Sequence, residues 1–300
     1  MNGILNVYKE KGFTSHDVVA KLRGICHQKK IGHTGTLDPE AEGVLPVCFG
    51  RATKVCDLLT DEDKTYEAVL LLGRITDTQD VHGKTLDERT VAVTEEQVRE
   101  TVMQFEGDIL QIPPMYSALK VNGKKLYQLA RAGKEVERQP RPVTIHEIRI
   151  LEMDLPRVRM TVTCSKGTYI RTLCHDIGER LGCGGCMEAL IRTRVGRFCR
   201  EDSLRLAEVE ERMAVGRLES CLTAPDALFE KWPRRTADER FEKLLYNGNA
   251  LPKEAFQEFP KEETAPVVRA YDRTGCFIGV YVWQQERKQY RPEKMFYPYE

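Results

Sequence analysis

Apolar positions change period several times along the chain, and each change marks an element. Gly3 to Val7 is a short apolar run that predicts a strand. Ser15 then stands as N-cap of a helix whose apolar face carries Val18, Val19, Leu22 and Ile25. Lys29 and Lys30 are placed to close that helix at its negative end. From Ile31 to Pro46 the periodicity is lost. Gly32, Gly35, Gly43, Pro39 and Pro46 predict a stretch that is mainly loop. A strand follows around Leu45 to Phe49, and Tyr66 to Leu72 reads as a buried strand. Thr94 and Gln97 form a capping box ahead of a helix bearing Val98, Val102 and Phe105.

The second half begins with an irregular stretch. Ile112 to Pro142 is bordered by Pro113, Pro114, Pro140 and Pro142, which predicts a loop-and-helix excursion from the sheet. Val158, Met160, Val162 and Cys164 alternate as one face of a strand, and after the Lys166-Gly167 turn Leu173, Ile177 and Leu181 recur at helical spacing. Asp202 to Arg212 predicts a further helix, and Trp232, Pro233 and Arg234 a linker. Val267 to Tyr271, the Asp272-Arg273-Thr274-Gly275 turn and Cys276 to Trp283 make a hairpin, so the end of the chain reads as a small β domain. A length of 300 residues suits one large and one small domain.

Composition narrows the class. Hydrophobic residues at 41% and charged residues at 31% fit an ordered soluble globule rather than a disordered or fibrous chain. No apolar run is long enough for a membrane span, and Met1 to Lys11 lacks the regions of a signal peptide, so a cytoplasmic location is expected. In that compartment the ten cysteines are expected to be thiols. Cys183-Gly184-Gly185-Cys186 has the spacing of half a zinc site, but a second such pair is missing and no metal is expected.

The formal net charge is zero, which argues at first against a nucleic-acid partner. The total conceals an asymmetry. Gln111 to Pro142 holds seven basic residues (Lys120, Lys124, Lys125, Arg131, Lys134, Arg138, Arg141) against Glu135 and Glu137, with Tyr116 and Tyr127 among them. Lys166 to Arg200 is also basic, whereas Glu201 to Glu263 is predominantly acidic. A surface divided in this way can carry a positive groove on a neutral molecule.

Gly32-His33-Thr34-Gly35-Thr36-Leu37-Asp38-Pro39 is too rich in small, polar and ring-constrained residues to be a core element. It lacks the Gly-Lys-Ser/Thr ending of a nucleotide P-loop. Its residue types fit equally a turn in which Thr34 and Asp38 satisfy backbone donors and a site that holds a ligand.

This loop, followed by Gly43-Val44-Leu45-Pro46 and Gly50-Arg51-Ala52-Thr53-Lys54, resembles the active-site signature of the TruB family of tRNA pseudouridine synthases. Asp63-Lys64-Thr65-Tyr66, Gln111 to Lys120 and Cys164 to Leu173 are similar to the family's later motifs in the same order, so the resemblance covers roughly Asn2 to Phe198. It implies an α+β fold with a mixed, mainly antiparallel sheet decorated by helices, the pseudouridine synthase fold. The catalytic domain would be residues 1–230 with a thumb-like insertion near 112–142, and residues 235–300 a small, possible PUA-like β domain. The implied activity is isomerisation of uridine 55 in the T loop of tRNA. By position, Asp38 is the catalytic carboxylate, His33 lies beside the flipped nucleotide, Tyr66 stacks on the target base, and Tyr169 and Arg171 complete the pocket. Arg171 would keep Asp38 ionised, Leu190 would add apolar contact to the base, and Lys9 would support the site. The family usually has proline after that lysine, where this chain has Glu10. A tRNA T-arm partner, no metal or organic cofactor, and a monomer without an obligate protein partner are also implied.

The chemistry asks for these residue types. Isomerising uridine breaks the bond from C1′ to N1, turns the uracil and joins C1′ to C5, so positive charge develops on the sugar as in glycoside cleavage. Asp38 could attack C1′ or remove a sugar proton, and both routes stay open. A second group must take the proton from C5, with Tyr66 a candidate. Aromatic faces such as Tyr66 and Tyr169 offset part of the cost of unstacking the base. Two rivals remain at this point: a non-catalytic RNA-binding or tRNA-folding protein, which has no use for a carboxylate in an RNA cleft, and a related enzyme acting on ribosomal RNA within a protein complex.

Overall fold

The computed structural model describes residues 1–121, 123–256 and 265–298. Strands from the first two hundred residues join one mixed sheet: β1 (Gly3–Lys9), β2 (Ile31–His33), β3 (Glu42–Phe49), β4 (Lys64–Leu72), β5 (Gly107–Gln111), β6 (Arg141–Asp154), β7 (Arg157–Cys164), β8 (Gly185–Val195) and β9 (Phe198–Cys199). Their order across the sheet is β1-β3-β8-β4-β7-β6-β5, with β2 on β3 and β9 on β8. All neighbours are antiparallel except β3 and β8. Those two meet in parallel, with Ile191 opposite Glu42 and Arg192 opposite Gly43. Only glycine fits this junction. Gly43 has φ +110°, and a Cβ there would lie 2.1 Å from the Arg192 carbonyl oxygen.

Alternation explains which strands lie centrally. On β7, Val158, Met160, Val162 and Cys164 all point into the core, and on β4 Tyr66, Ala68, Leu70 and Leu72 do the same. Helices α2 (Glu95–Met103) and α4 (Ile170–Arg180) close this face with Val98, Val102, Leu173 and Ile177. Helix α2 begins at the expected Thr94 and Gln97 capping box. Strands β1 and β3 are buried on both faces: Leu5, Val7, Leu45 and Val47 pack under α1 (Ser15–Ile25) and α5 (Leu206–Ala214), while Ile4, Val44 and Cys48 face the other way.

Several boundaries differ from expectation, each for a long-range reason. The N-cap of α1 is Thr14 rather than Ser15, with Asp17 completing a capping box. Ser15 is buried and its hydroxyl instead accepts from the Leu37 N–H at 3.0 Å. The helix ends at Ile25, so Lys29 and Lys30 lie beyond it and Arg23 is the basic residue of its last turn. The stretch expected to be loop up to Pro46 contains β2 and the start of β3, because the two pair with each other around a short loop at 34–41. The helix expected from Asp202 begins at Leu206. Leu204 runs extended along β1, exchanging backbone hydrogen bonds with Asn6 and Tyr8. The excursion leaves from β5 and returns through β6, which pair with each other. It holds a small hairpin of Lys120–Val121 with Lys124–Lys125 and a short helix, α3 (Leu126–Arg131).

The chain ends in a second, five-stranded sheet of β10 (Arg234–Thr236), β11 (Leu251–Pro252), β12 (Val267–Tyr271), β13 (Phe277–Gln284) and β14 (Gln289–Met295), ordered β10-β12-β13-β14-β11. The expected linker is packed rather than loose. Trp232 stacks on Phe229 at 5.3 Å, and Arg234 already belongs to the sheet. Part of the acidic stretch, residues 257–264, lies outside the described residues.

Leu70 is fully buried between Val158 and Met187 on the flanking strands. Leu70→Ala is expected to lower the unfolding free energy by about 2–5 kcal/mol, read from urea melts with an unchanged slope.

Candidate active site

The loop between β2 and β3 carries Asp38 and is held from four directions. The Thr34 N–H and hydroxyl both donate to the Pro46 carbonyl, and the Thr60 hydroxyl donates to the Thr34 carbonyl at 3.1 Å. The Ser15 hydroxyl takes the Leu37 N–H, and the Gly12 N–H donates to the Pro39 carbonyl at 2.9 Å. Below the loop, the fully buried Lys9 ammonium donates to the carbonyls of Phe13 at 2.6 Å and of Glu10 and Pro39 at 3.1 Å. Three N–H bonds meet three acceptors. Glu10, where the family usually has proline, lends its carbonyl to Lys9 and its carboxylate to Arg205 at 2.7 Å.

Arg171, on the first turn of α4, faces this loop. Its Nε lies 3.0 Å from Asp38 Oδ2 and its Nη2 donates to Asp38 Oδ1 at 3.4 Å, a bidentate pairing. Nη2 also donates to the Tyr116 carbonyl at 2.8 Å, and Nη1 to the Thr78 carbonyl at 3.0 Å beside Asp80 Oδ2 at 3.5 Å. All five N–H groups are aimed at acceptors. The Arg171 side chain is 7% exposed and the Asp38 side chain 40% exposed, so Asp38 remains partly open to solvent.

Burial pushes the Asp38 carboxyl above the usual aspartate range, Arg171 and Lys9 pull it back, and Asp80 adds to the rise. Arg171 therefore restrains a rise that burial dominates, rather than setting the ionisation alone.

Of the other expected residues, Lys9, Tyr66 and Tyr169 feel the Asp38 charge, whereas His33 and Leu190 are placed by other neighbours. Tyr66 and Leu190 share a buried cluster with Leu37, and each is 9% exposed. Burial raises the Tyr66 pKa, and the Arg192 charge opposite it on β8 pulls it back. Tyr169 is fixed through its backbone: its N–H donates to Gln111 Oε1 at 3.0 Å and its carbonyl accepts from Gln111 Nε2 at 3.2 Å. His33 Nδ1 accepts from the Gly35 N–H at 3.3 Å, and its ring meets His16 edge-on at 5.1 Å. Burial, His16 and Arg192 depress its pKa, which favours a neutral ring.

Sequence reasoning missed Asp80 and Arg192. Asp80 sits in a turn pinned by the Thr78 hydroxyl, which donates to its carboxylate at 2.8 Å, and no local pattern announces it. Arg192 looks like one of several arginines on a strand, and only pairing with β4 places it opposite Tyr66. Together they show how the site is charged. Among the described residues the buried basic side chains are Lys9, Lys64, Arg171 and Arg192, all in this region, against the carboxylates of Asp38 and Asp80. Burial pushes both Lys9 and Lys64 down to about 8. Glu42 also acts on Lys9, and Asp61 and Asp63 on Lys64, so four buried cations are gathered here among carboxylates at the rim. The Cys183 and Cys186 thiols are free and buried elsewhere, and the described residues contain no group of three or more potential ligands arranged for a metal.

Residues 23–170 match the model of the TruB family pseudouridylate synthase N-terminal domain, and residues 171–228 that of the tRNA pseudouridylate synthase B C-terminal domain. The chain is 56% identical to a tRNA pseudouridine synthase B of Lachnoclostridium phytofermentans over 99% of this chain and 100% of that one. It is 45% identical to the same-named protein of Clostridium acetobutylicum over 93% and 95% of the two chains. Among solved structures it is similar to a chain of a Cbf5-Nop10-Gar1 complex, with TM-score 0.72, 27% identity and coverage of 99% and 85%. A chain of an archaeal box H/ACA Nop10-Cbf5 complex gives TM-score 0.71, 26% identity and coverage of 100% and 87%.

Replacing Lys9 by Met leaves three loop carbonyls without their shared donor. The expected loss is about 1–3 kcal/mol of unfolding free energy, read from urea melts of the two proteins side by side.

Proposed function

The chain belongs to the TruB family of tRNA pseudouridine synthases, and from that premise we propose that it isomerises uridine 55 in the T loop of tRNA to pseudouridine. The observation that carries this reading is the bidentate pair of Asp38 with the buried Arg171, the Asp38 side chain remaining partly open to solvent with the buried Lys9 charge beside it. Asp38 is the carboxylate that meets C1′ as the glycosidic bond breaks. Positive charge on the sugar then faces a negative group held in place before the substrate arrives. Tyr66 and Leu190 form the apolar wall for the extruded uracil, with Tyr66 the candidate acceptor of the C5 proton. Tyr169 completes that wall, the neutral His33 ring lies beside the extruded nucleotide, and Lys9 supports the loop from beneath.

Residues 1–230 form the catalytic unit in this reading, and residues 235–300 a smaller RNA-facing domain. The basic hairpin and helix within 112–142 clamp the T-arm backbone. The buried cations favour approach of a polyanion, which offsets the repulsion between Asp38 and phosphate. Isomerisation needs no net redox change, so carboxylate, phenol and guanidinium suffice without a cofactor. The enzyme works as a monomer in the cytoplasm; among the described residues no helix is long and apolar enough to cross a membrane.

A second reading, catalysis within a protein complex, is favoured by the solved structures, which are complexes with Nop10 or with Nop10 and Gar1. Identity of 26–27% to those chains against 56% and 45% to the synthase B proteins favours action on tRNA without such partners.

Tritium release from C5-labelled uridine in an unmodified tRNA transcript tests both. Purified wild type should release label, Asp38→Asn should be slower by about 10²–10⁴-fold or more, and a transcript lacking the T-loop uridine should release none. Binding without release would leave a binder; release only with added protein partners would favour the complex.

The ionised form of Asp38 is the working form, so kcat/KM should fall as pH drops through a limb above the ordinary aspartate range, because burial raises this carboxyl. Asp80→Asn removes a negative neighbour and should move that limb to lower pH; a limb that stays in place shows that another group governs it.

A further inference from the structure

Arg192 is the deeply buried cation for which the reaction above has no use. It lies on β8 directly opposite Tyr66 of β4 and is 2% exposed. Among the described residues it makes no ion pair with a carboxylate, and Tyr66 is the group that favours its charge. A buried guanidinium without a counter-ion is costly, and an apolar side chain of similar size would avoid that cost. What it holds suggests why it is there. Nε donates to the Val44 carbonyl at 2.7 Å, Nη2 reaches the Gly35 carbonyl at 3.5 Å, and the register of β8 on β4 sets the same side chain beside that of Tyr66. Val44 belongs to β3 and Gly35 to the loop that carries Asp38. One planar group therefore spans the two elements that bear the carboxylate and the phenol.

The sense of that contact matters. A guanidinium has N–H donors and no acceptor, so toward the phenol oxygen Arg192 can act only as a donor and a positive charge. That favours the phenolate, the form that accepting the C5 proton requires, and gives the oxygen a fixed place relative to the Asp38 loop.

We propose that Arg192 is a positioning residue for Tyr66, holding the phenol oxygen in register with the Asp38 loop so that the ring and its hydroxyl meet the target uracil in one orientation. The inference rests on the uridine isomerase reading and deepens it. A residue that only fastened β3 to β8 would act on stability and on every step alike; one that acts through Tyr66 loses its effect when the hydroxyl is absent.

A double-mutant cycle reads that difference. Tritium release is followed with enzyme in excess, so that slow variants still complete a turnover, for wild type, Arg192→Met, Tyr66→Phe and the double variant, each first shown to be folded by its melting curve. Arg192→Met should slow release at saturating enzyme by about 10²-fold, as a misplaced reacting group does, with the half-saturating concentration little changed. In the Tyr66→Phe background the same change should cost no more than a factor of about 2. Equal costs in both backgrounds, or a loss confined to RNA affinity, overturn the proposal. If Arg192→Met does not fold, Arg192→Lys takes its place: it keeps the charge but cannot span Val44 and Tyr66 together, so it should give a smaller loss that again vanishes with Tyr66→Phe. A wild type that releases no tritium sinks the isomerase reading and this proposal with it, whereas an active wild type with equal costs sinks this proposal alone.

Discussion

A buried guanidinium tolerates no unsatisfied donor, and the active region is organised around that constraint at Arg171. Its five N–H groups need acceptors in one plane, and the chain supplies them from three distant segments: Asp38 after β2, Thr78 and Asp80 before α2, and Tyr116 beyond β5. Removing any one acceptor leaves a donor of a buried charge unpaired in a region of low dielectric, which costs more than losing a surface ion pair. The loops are therefore fixed to each other through the guanidinium. Helix α4 supplies it in turn, with Leu173 and Ile177 anchoring the helix to the central strands.

The electrostatics of the region follow from the same economy of space. Lys9 is saturated by three carbonyls and Lys64 donates to two, Thr60 at 2.6 Å and Glu62, so both ammonium groups brace loops through the backbone. The Asp38 carboxyl is pushed up by burial and by Asp80 and pulled back by Arg171 and Lys9. Such opposition sets a poorly solvated carboxylate against two fixed positive charges that favour its ionised form. Four buried basic side chains gathered in one region give a neutral chain a local source of positive potential, which suits an RNA substrate.

Local chemistry was the readable part of the sequence. The Thr94 and Gln97 capping box and the alternation from Val158 to Cys164 are each satisfied within a few residues, and both stand as expected. Asp38, Tyr66, Arg171 and Leu190 came from motif resemblance; Asp38 and Arg171 pair directly, and Tyr66 and Leu190 belong to one buried cluster. Where the reading failed, a distant partner decided. Thr14 and Ser15 are both good caps, but Leu37 claims the Ser15 hydroxyl. The helix expected from Asp202 is delayed because Leu204 pairs along β1. Arg192 was invisible for the same reason, since only the register of β8 against β4 brings it to Tyr66.

The terminal sheet belongs to this account although it lies outside the Asp38 region. Strands β1 and β3 are apolar on both faces, and helices α1 and α5 cover only one. The other face, Ile4, Val44 and Cys48, is covered by Phe229, Tyr271, Phe277 and Phe296, and the Lys54 ammonium donates to the Met295 carbonyl at 2.5 Å. Val44 also offers Arg192 its carbonyl, and β3 emerges directly from the Asp38 loop. Packing from the end of the chain is thus transmitted through one strand to the carboxylate. Buried on both sides, that strand has little freedom to shift, because a close-packed interior yields only at the cost of cavities or overlaps. The second sheet therefore acts as a buttress for the geometry of the first, in addition to any RNA it touches.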